Sequence, residues 1–169
     1  MTYPNLEVKY SLTDTILGYL TNRPVVNEDN KYNLHEVFLV NNDLNKLKDV
    51  FYSFFASIPN DWYRKNSIAN YEGYYASIFY CYFTALGLDV IVEDSTNLGR
   101  IDLTLKLNER VYIMEFKVVE IDKNENSALK QIKDKKYYEK YLHFREVYLI
   151  GVEFSKDEKN IKSYEWERV

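Results

Sequence analysis

Asp102, Glu115 and Lys117 stand out in the stretch GRIDLTLKLNERVYIMEFK, Gly99 to Lys117, as charged residues in a segment rich in Ile, Leu, Met and Phe. Its alternation reads as a β-hairpin. A turn centred on Asn108 and Glu109 opposes Ile101 to Phe116, Leu103 to Met114 and Leu105 to Tyr112, so that one face is wholly apolar. The other face then opposes Asp102 to Glu115 and Arg100 to Lys117. Directly opposed like charges destabilise a sheet. Diagonal pairing of the four charges is one relief. A divalent cation shared by the two carboxylates is the other: Mg²⁺ takes hard oxygen ligands, commonly one or two carboxylates, with water and phosphate completing its shell. Lys117 then lies beside the cation on the same strand face.

Spacing alone does not select these residues. The pattern acid-x-Lys occurs five times in the chain, and only Glu115-Phe116-Lys117 falls on a predicted strand with an Asp opposite on its partner. A two- or four-residue loop preserves that register, whereas a three-residue loop would slip one strand and mix the faces.

The elements that must position the hairpin follow from periodicity. Helices are expected over Leu6–Leu20, Asp43–Ile58 and Ser67–Leu86, the last apolar nearly all round and capped by Gly87. The period then changes to that of strands, in LDVIVE, RIDLTLKL and RVYIMEFKV. A loop, DKNENS, leads into a helix over Ala128–Leu142, a buried strand VYLIGVEF and an edge strand IKSYEWERV. The order from Ser67 is α-β-β-β-α-β, and the helical crossover implies a parallel pair. A helical extension, residues 1–62, is expected to pack on a core formed by residues 63–169.

Composition narrows the class. With 46% hydrophobic and 28% charged residues in a chain of 169, the sequence suits a folded domain. The longest apolar stretch, Ile78 to Val92, is broken by Thr84, Gly87 and Asp89 and is too short for a bilayer. No N-terminal signal pattern is apparent, and the lone cysteine, Cys81, points to a reducing, cytoplasmic setting. A net charge of −4 argues against a generic nucleic-acid coat. Five Lys and one Arg between Ala128 and Arg145, against Asp134 and Glu139, form a candidate basic patch. His35 and His143 are too few and too scattered for a histidine-based site, and Glu93 reads as a surface acid near a strand end.

YEGYY on a helix, then GRID, EFK and QIKDKKYYEKY, resembles the PD-(D/E)XK nuclease superfamily, most closely the branch found C-terminal to AAA-ATPase-like domains in bacterial proteins. The resemblance extends to YPNLEV near the start and FFASIP before the core. It implies an αβββαβ, restriction-endonuclease-like α/β core with a mixed central sheet, in agreement with the order read from periodicity. It makes Asp102 and Glu115 the motif's acids and Lys117 its lysine. Glu72 matches an acidic residue that some members carry on the first core helix, and Gln131 a residue on the helix after the motif. Ile101 stands where the named pattern has Pro, and none of the five Gly builds a phosphate-binding loop, so no ATPase-like domain lies in this chain.

What the resemblance implies is Mg²⁺- or Mn²⁺-dependent hydrolysis of nucleic acid, DNA favoured, with Asp102, Glu115 and Glu72 toward the metal and Lys117 toward the phosphate. Glu72 reads equally as a solvated residue at a helix start. Arg100, Gln131 and Lys135 are candidate substrate contacts; Gln131 and Lys135 share a helix face, and a plain solvated face explains them as well. The competing reading is a catalytically silent nuclease-fold module that binds protein or nucleic acid. An AAA-ATPase-like domain in a parent protein and self-association stay open.

Overall fold

The structure, a computed structural model, describes residues 33–59, 61, 68–120 and 127–169, together with the isolated positions Glu7, Ser11 and Thr15. Most of the helix expected over Leu6–Leu20, the boundary expected between residues 62 and 63, and most of the DKNENS loop lie outside the described residues.

A π-helical turn, His35–Val40, precedes helix α1, Leu44–Ser57. Asp43 caps α1, its carboxylate accepting from the Lys46 N–H at 3.0 Å. A 3₁₀ turn, Ile68–Asn70, leads into helix α2, Glu72–Ala85. The strands are β1, Asp89–Thr96, β2, Gly99–Leu107, and β3, Arg110–Val119. Helix α3, Ser127–Asp134, and a 3₁₀ turn, Tyr137–Tyr141, carry the chain to β4, Glu146–Ser155, and β5, Ile161–Arg168. The strands lie in the order β1-β2-β3-β4-β5. Among the described strands only β3 and β4 are parallel, as a helical crossover between them requires. The fold is thus a mixed α/β sheet with preceding helices, of the restriction-endonuclease-like kind that the family resemblance implied, in the order of elements read from periodicity.

Two helices differ from expectation. The helix expected to begin at Ser67 begins at Glu72, because Tyr71 is extended (φ −111°, ψ 131°) and separates it from the 3₁₀ turn. Its C-terminus follows the sequence signal: Gly87 has φ +81°, its N–H donates to Thr84 O, and the Leu88 N–H donates to Phe83 O. The helix expected over Ala128–Leu142 ends at Asp134, and Lys136 turns left-handed at φ +48°. In an unbroken helix Tyr137 would sit roughly 140° round the axis from buried Ile132. The break instead turns Tyr137 and Tyr141 into the protein, where both are buried.

The sheet has a core on each face. On one, Leu103, Leu105, Tyr112, Met114 and Phe116 pack against α1 and α2. Aromatic rings dominate there: Phe51 of α1 stacks on Phe79 of α2 at 3.7 Å, and Tyr75 on Phe154 at the same distance. On the other face, Ile101, Val111 and Ile113 pack with Ile132, Tyr137 and Tyr141. Ile101 was expected beside Leu103. Residues two apart on a strand normally share a face, and these two do not, so β2 twists at Asp102. The adjacent residue of β1, Glu93, has φ +48° and falls out of the otherwise regular pairing with β2.

Helix α3 is fixed to the sheet by two residues of β4. The Glu153 carboxylate accepts the N–H and hydroxyl of Ser127, at 2.6 and 2.9 Å, and the N–H of Ala128 at 3.3 Å, which caps the helix from outside it. Gly151 permits the close approach: a Cβ there would lie 2.3 Å from the Leu129 backbone nitrogen. Backbone cannot swing aside as a side chain can. Gly151→Ala is therefore expected to destabilise the fold by about 2 kcal/mol or more. Urea unfolding would measure this, and a variant as stable as the parent would refute the close contact.

Candidate functional site

The hairpin turn falls at Asn108 and Glu109, with Asn108 at φ +55°, and the paired register of β2 and β3 runs from Leu107–Arg110 to Leu103–Met114. There it ends. Beyond it a side chain replaces a rung of the ladder. Asp102 Oδ2 accepts the Phe116 N–H at 2.9 Å. Asp102 and Glu115 are neighbours across strands that have begun to separate. Asp102 thus satisfies a backbone group left by the opening.

Glu115 is 2% exposed. One of its oxygens accepts from Gln131 Nε2 of α3. The other, Oε2, is buried with no hydrogen-bond partner among the described residues. Burial first, and the neighbouring charge of Asp102 second, push the Glu115 carboxyl up to about 8; Lys117 and the Asp102 N–H oppose the rise. Asp102 is also pushed up, by burial above all and by Glu72 and Glu93, against the pull of the Phe116 N–H and Lys117. Lys117, partly buried, places its ammonium 3.8 Å from Glu72 at the start of α2.

The structure thus brings Glu72, Asp102, Glu115, Lys117 and Gln131 to one place, at the opening of β2 from β3. It does not bring the remaining candidates to the carboxylates in the same way. Arg100 is exposed and pairs with Glu93 at 3.1 Å. Lys135 is exposed just past the end of α3. The basic patch is largely neutralised: Lys133 pairs with Glu167, Lys136 with Glu139, Lys140 with Asp94 and Arg145 with Glu109. Among the described residues no three His, Cys, Asp or Glu side chains are grouped as a ready cage for a metal ion. Glu72 faces Lys117 instead.

Two residues around the site escaped the sequence reading. The Tyr137 hydroxyl abuts Gly99 and lies beside Gln131, so that Gln131 sits between Tyr137 and Glu115. Its spacing from Gln131 has meaning only once the helix break is known. Asp94, 5% exposed, accepts from Thr104 at 3.0 Å and from Lys140 and Tyr141. Burial alone would raise its carboxyl, but these three donors together hold it below the ordinary carboxylate range. This cluster pins the turn after α3 to the β1–β2 end of the sheet.

The shift at Glu115 has a thermodynamic consequence. Folded Glu115 keeps its proton up to about pH 8, whereas an unfolded Glu releases it near the ordinary value of 4.5. Between those values the folded state binds the extra proton, so stability of the metal-free protein falls as pH rises, by up to about 1.4 kcal/mol per unit. Glu115→Gln should flatten that slope and be the more stable protein near pH 8. Urea unfolding in chelator across the range would test it, and a flat wild-type profile would contradict the burial of this carboxyl.

A family model for the PD-(D/E)XK nuclease superfamily matches residues 70–164. A relative from Azotobacter chroococcum mcd 1, named "Uncharacterized protein in vnfD 5'region", is 48% identical over 165 residues, which is 97% of this chain and 32% of the relative. The chain thus spans about a third of that relative's length. The matched span of the family model takes in more than half of the chain, including Glu72, the opened hairpin with Asp102, Glu115 and Lys117, and the helix that delivers Gln131. The chain belongs to the PD-(D/E)XK nuclease superfamily.

Proposed function

We propose that this chain is a metal-dependent nuclease that hydrolyses phosphodiester bonds, with DNA the favoured substrate. The observation that carries the reading is the buried Glu115 carboxylate beside Asp102, with one oxygen unpartnered and Lys117 two residues along the strand. Hard, closely spaced carboxylate oxygens suit Mg²⁺ or Mn²⁺. Asp102 and Glu115 would hold the ion, and Glu72 would join them by turning from Lys117. When bound, the ion supplies Lewis acidity at the phosphate and lowers the pKa of water.

The chain's own residues do the rest. Gln131 keeps the Glu115 carboxylate in one orientation. Lys117 orients the attacking water or meets the charge that grows on the phosphate oxygens. Lys135, exposed just past α3, and Arg100, once released by Glu93, would be the contacts to phosphates flanking the scissile bond. The lone cysteine takes no part: Cys81 is buried, and burial pushes its thiol up to about 11. The cysteine usage supports a cytoplasmic setting. Among the described residues no helix is long and apolar enough to cross a membrane. The length of the Azotobacter relative is consistent with an AAA-ATPase-like domain joined to this one in a parent protein.

Lys117→Met keeps stem packing and removes the charge. It should lower kcat by on the order of 10² or more, with little change in KM, measured by single-turnover cleavage of a nucleic-acid panel in Mg²⁺. Cleavage at the wild-type rate would remove Lys117 from the chemistry.

Mg²⁺ or Mn²⁺ should raise the melting temperature of the wild type by linkage, and Asp102→Asn should abolish that rise. A wild type that neither binds these ions in calorimetry nor cleaves any nucleic acid would instead be a silent binding module.

A further inference from the structure

We propose that the cleft beside Asp102 receives an unstacked base, and that the substrate class is single-stranded nucleic acid rather than duplex. The proposal rests on the nuclease reading above and deepens it. The cleft, about 540 Å³, runs between the start of α2 and the kinked part of β1. Its walls differ in chemistry. Glu72, Glu93 and Asp102 line one part, and Gly73, Ala76, Tyr80 and Val92 another. Val92 is 51% exposed although it lies in a strand, and Tyr80 is only partly covered by the core. A β-carbon placed on Gly73 would meet nothing within 4 Å, so the rim is open.

Charge selects the occupant. Tracking a duplex needs several free Lys and Arg side chains along phosphates. Here Lys117 is engaged by Glu72 at 3.8 Å and Arg100 by Glu93 at 3.1 Å. On the neighbouring turn Lys136 and Lys140 are engaged by Glu139 and Asp94. The wall next to the carboxylates offers a phenol ring and aliphatic carbon instead. A base freed from a stack covers such a wall with its π-face, without regard to sequence. A base inside a duplex is covered by its neighbours and cannot. The cleft opens directly on Asp102, so a base seated there belongs to a nucleotide next to the scissile phosphate.

The test uses one labelled DNA sequence as a single strand and as a duplex, with the single-stranded RNA counterpart, in Mg²⁺ over a salt series. The single strands should be favoured in kcat/KM by about tenfold or more, with a shallow salt dependence because few free Lys and Arg side chains displace counterions. Tyr80→Leu and Val92→Ser should each raise KM for the single strand by roughly tenfold and leave kcat in place. Val92 lies on an exposed edge strand, so its variant keeps the test alive if replacement of Tyr80 perturbs the core. A duplex preference with a steep salt slope, or variants with unchanged KM, would overturn the proposal and leave the nuclease reading intact. Failure to cleave any substrate would instead overturn the nuclease reading. In that case fluorescence anisotropy of the same oligonucleotides decides: single-strand binding weakened by Tyr80→Leu supports the base site, and no such binding overturns it.

Discussion

Two carboxylates side by side in a protein interior repel each other and lose their hydration, and this structure is arranged around that one conflict. Glu115 cannot escape to solvent, because β3 lies between two cores. Asp102 cannot move off, because its side chain holds the Phe116 N–H. The strands have separated there and given up ladder hydrogen bonds, and the Asp102 carboxylate takes over as acceptor for the freed Phe116 N–H. An isolated buried carboxylate costs several kcal/mol. The aromatic stacks that join α1, α2 and the sheet supply cohesion elsewhere, so strain at one point does not unfold the domain.

The position of α3 follows from the same conflict. Glu115 pairs with Gly151 across the parallel strands, and a side chain at Gly151 would strike the α3 backbone. The bare glycine lets the helix descend until Gln131 reaches Glu115. Glu153, two residues further along β4, then caps the helix start. One strand therefore provides both the clearance and the anchor for the helix that orients the buried acid. Such a device reads in sequence only as Gly-Val-Glu inside an apolar strand. Nothing local distinguishes it from a weak point in a β-run.

What the sequence revealed and what it hid divide along physical lines. The hairpin was legible because a period of two, a short turn and one apolar face constrain each other. The charged residues on its other face then had to be neighbours. Gly87 was legible because a left-handed helix end favours glycine. Ile101 was misplaced because alternation assumes an untwisted strand, and the kink at Glu93 and Asp102 carries no propensity signal. The helix break at Lys136 was hidden because the Lys-rich segment has good helical propensity; burial of Tyr137 and Tyr141 overrides it. The basic patch was overread because counting lysines ignores partners contributed by β1, β5 and the β2–β3 turn, all distant in sequence.

Those partners change what the site can recognise. With Glu115 ionised, the carboxylates of Glu72, Glu93, Asp102 and Glu115 face, among the described residues, Lys117 and Arg100, which leaves an excess of two negative charges, one divalent cation's worth. On the proposed reading, an incoming phosphodiester would add a further negative charge and find no free basic cluster among the described residues near the cleft. Coulomb attraction to the chain itself would then be a weak source of affinity, and long-range steering by an acidic protein would work against it. Binding energy would have to come from the proposed ion and from surfaces that carry no charge. The wall formed by Ala76, Tyr80 and Val92 is an uncharged surface that shares a cleft with Asp102. Affinity through that wall would depend on how much of a base the proposed substrate leaves uncovered, and discrimination would then rest on strand state rather than on sequence.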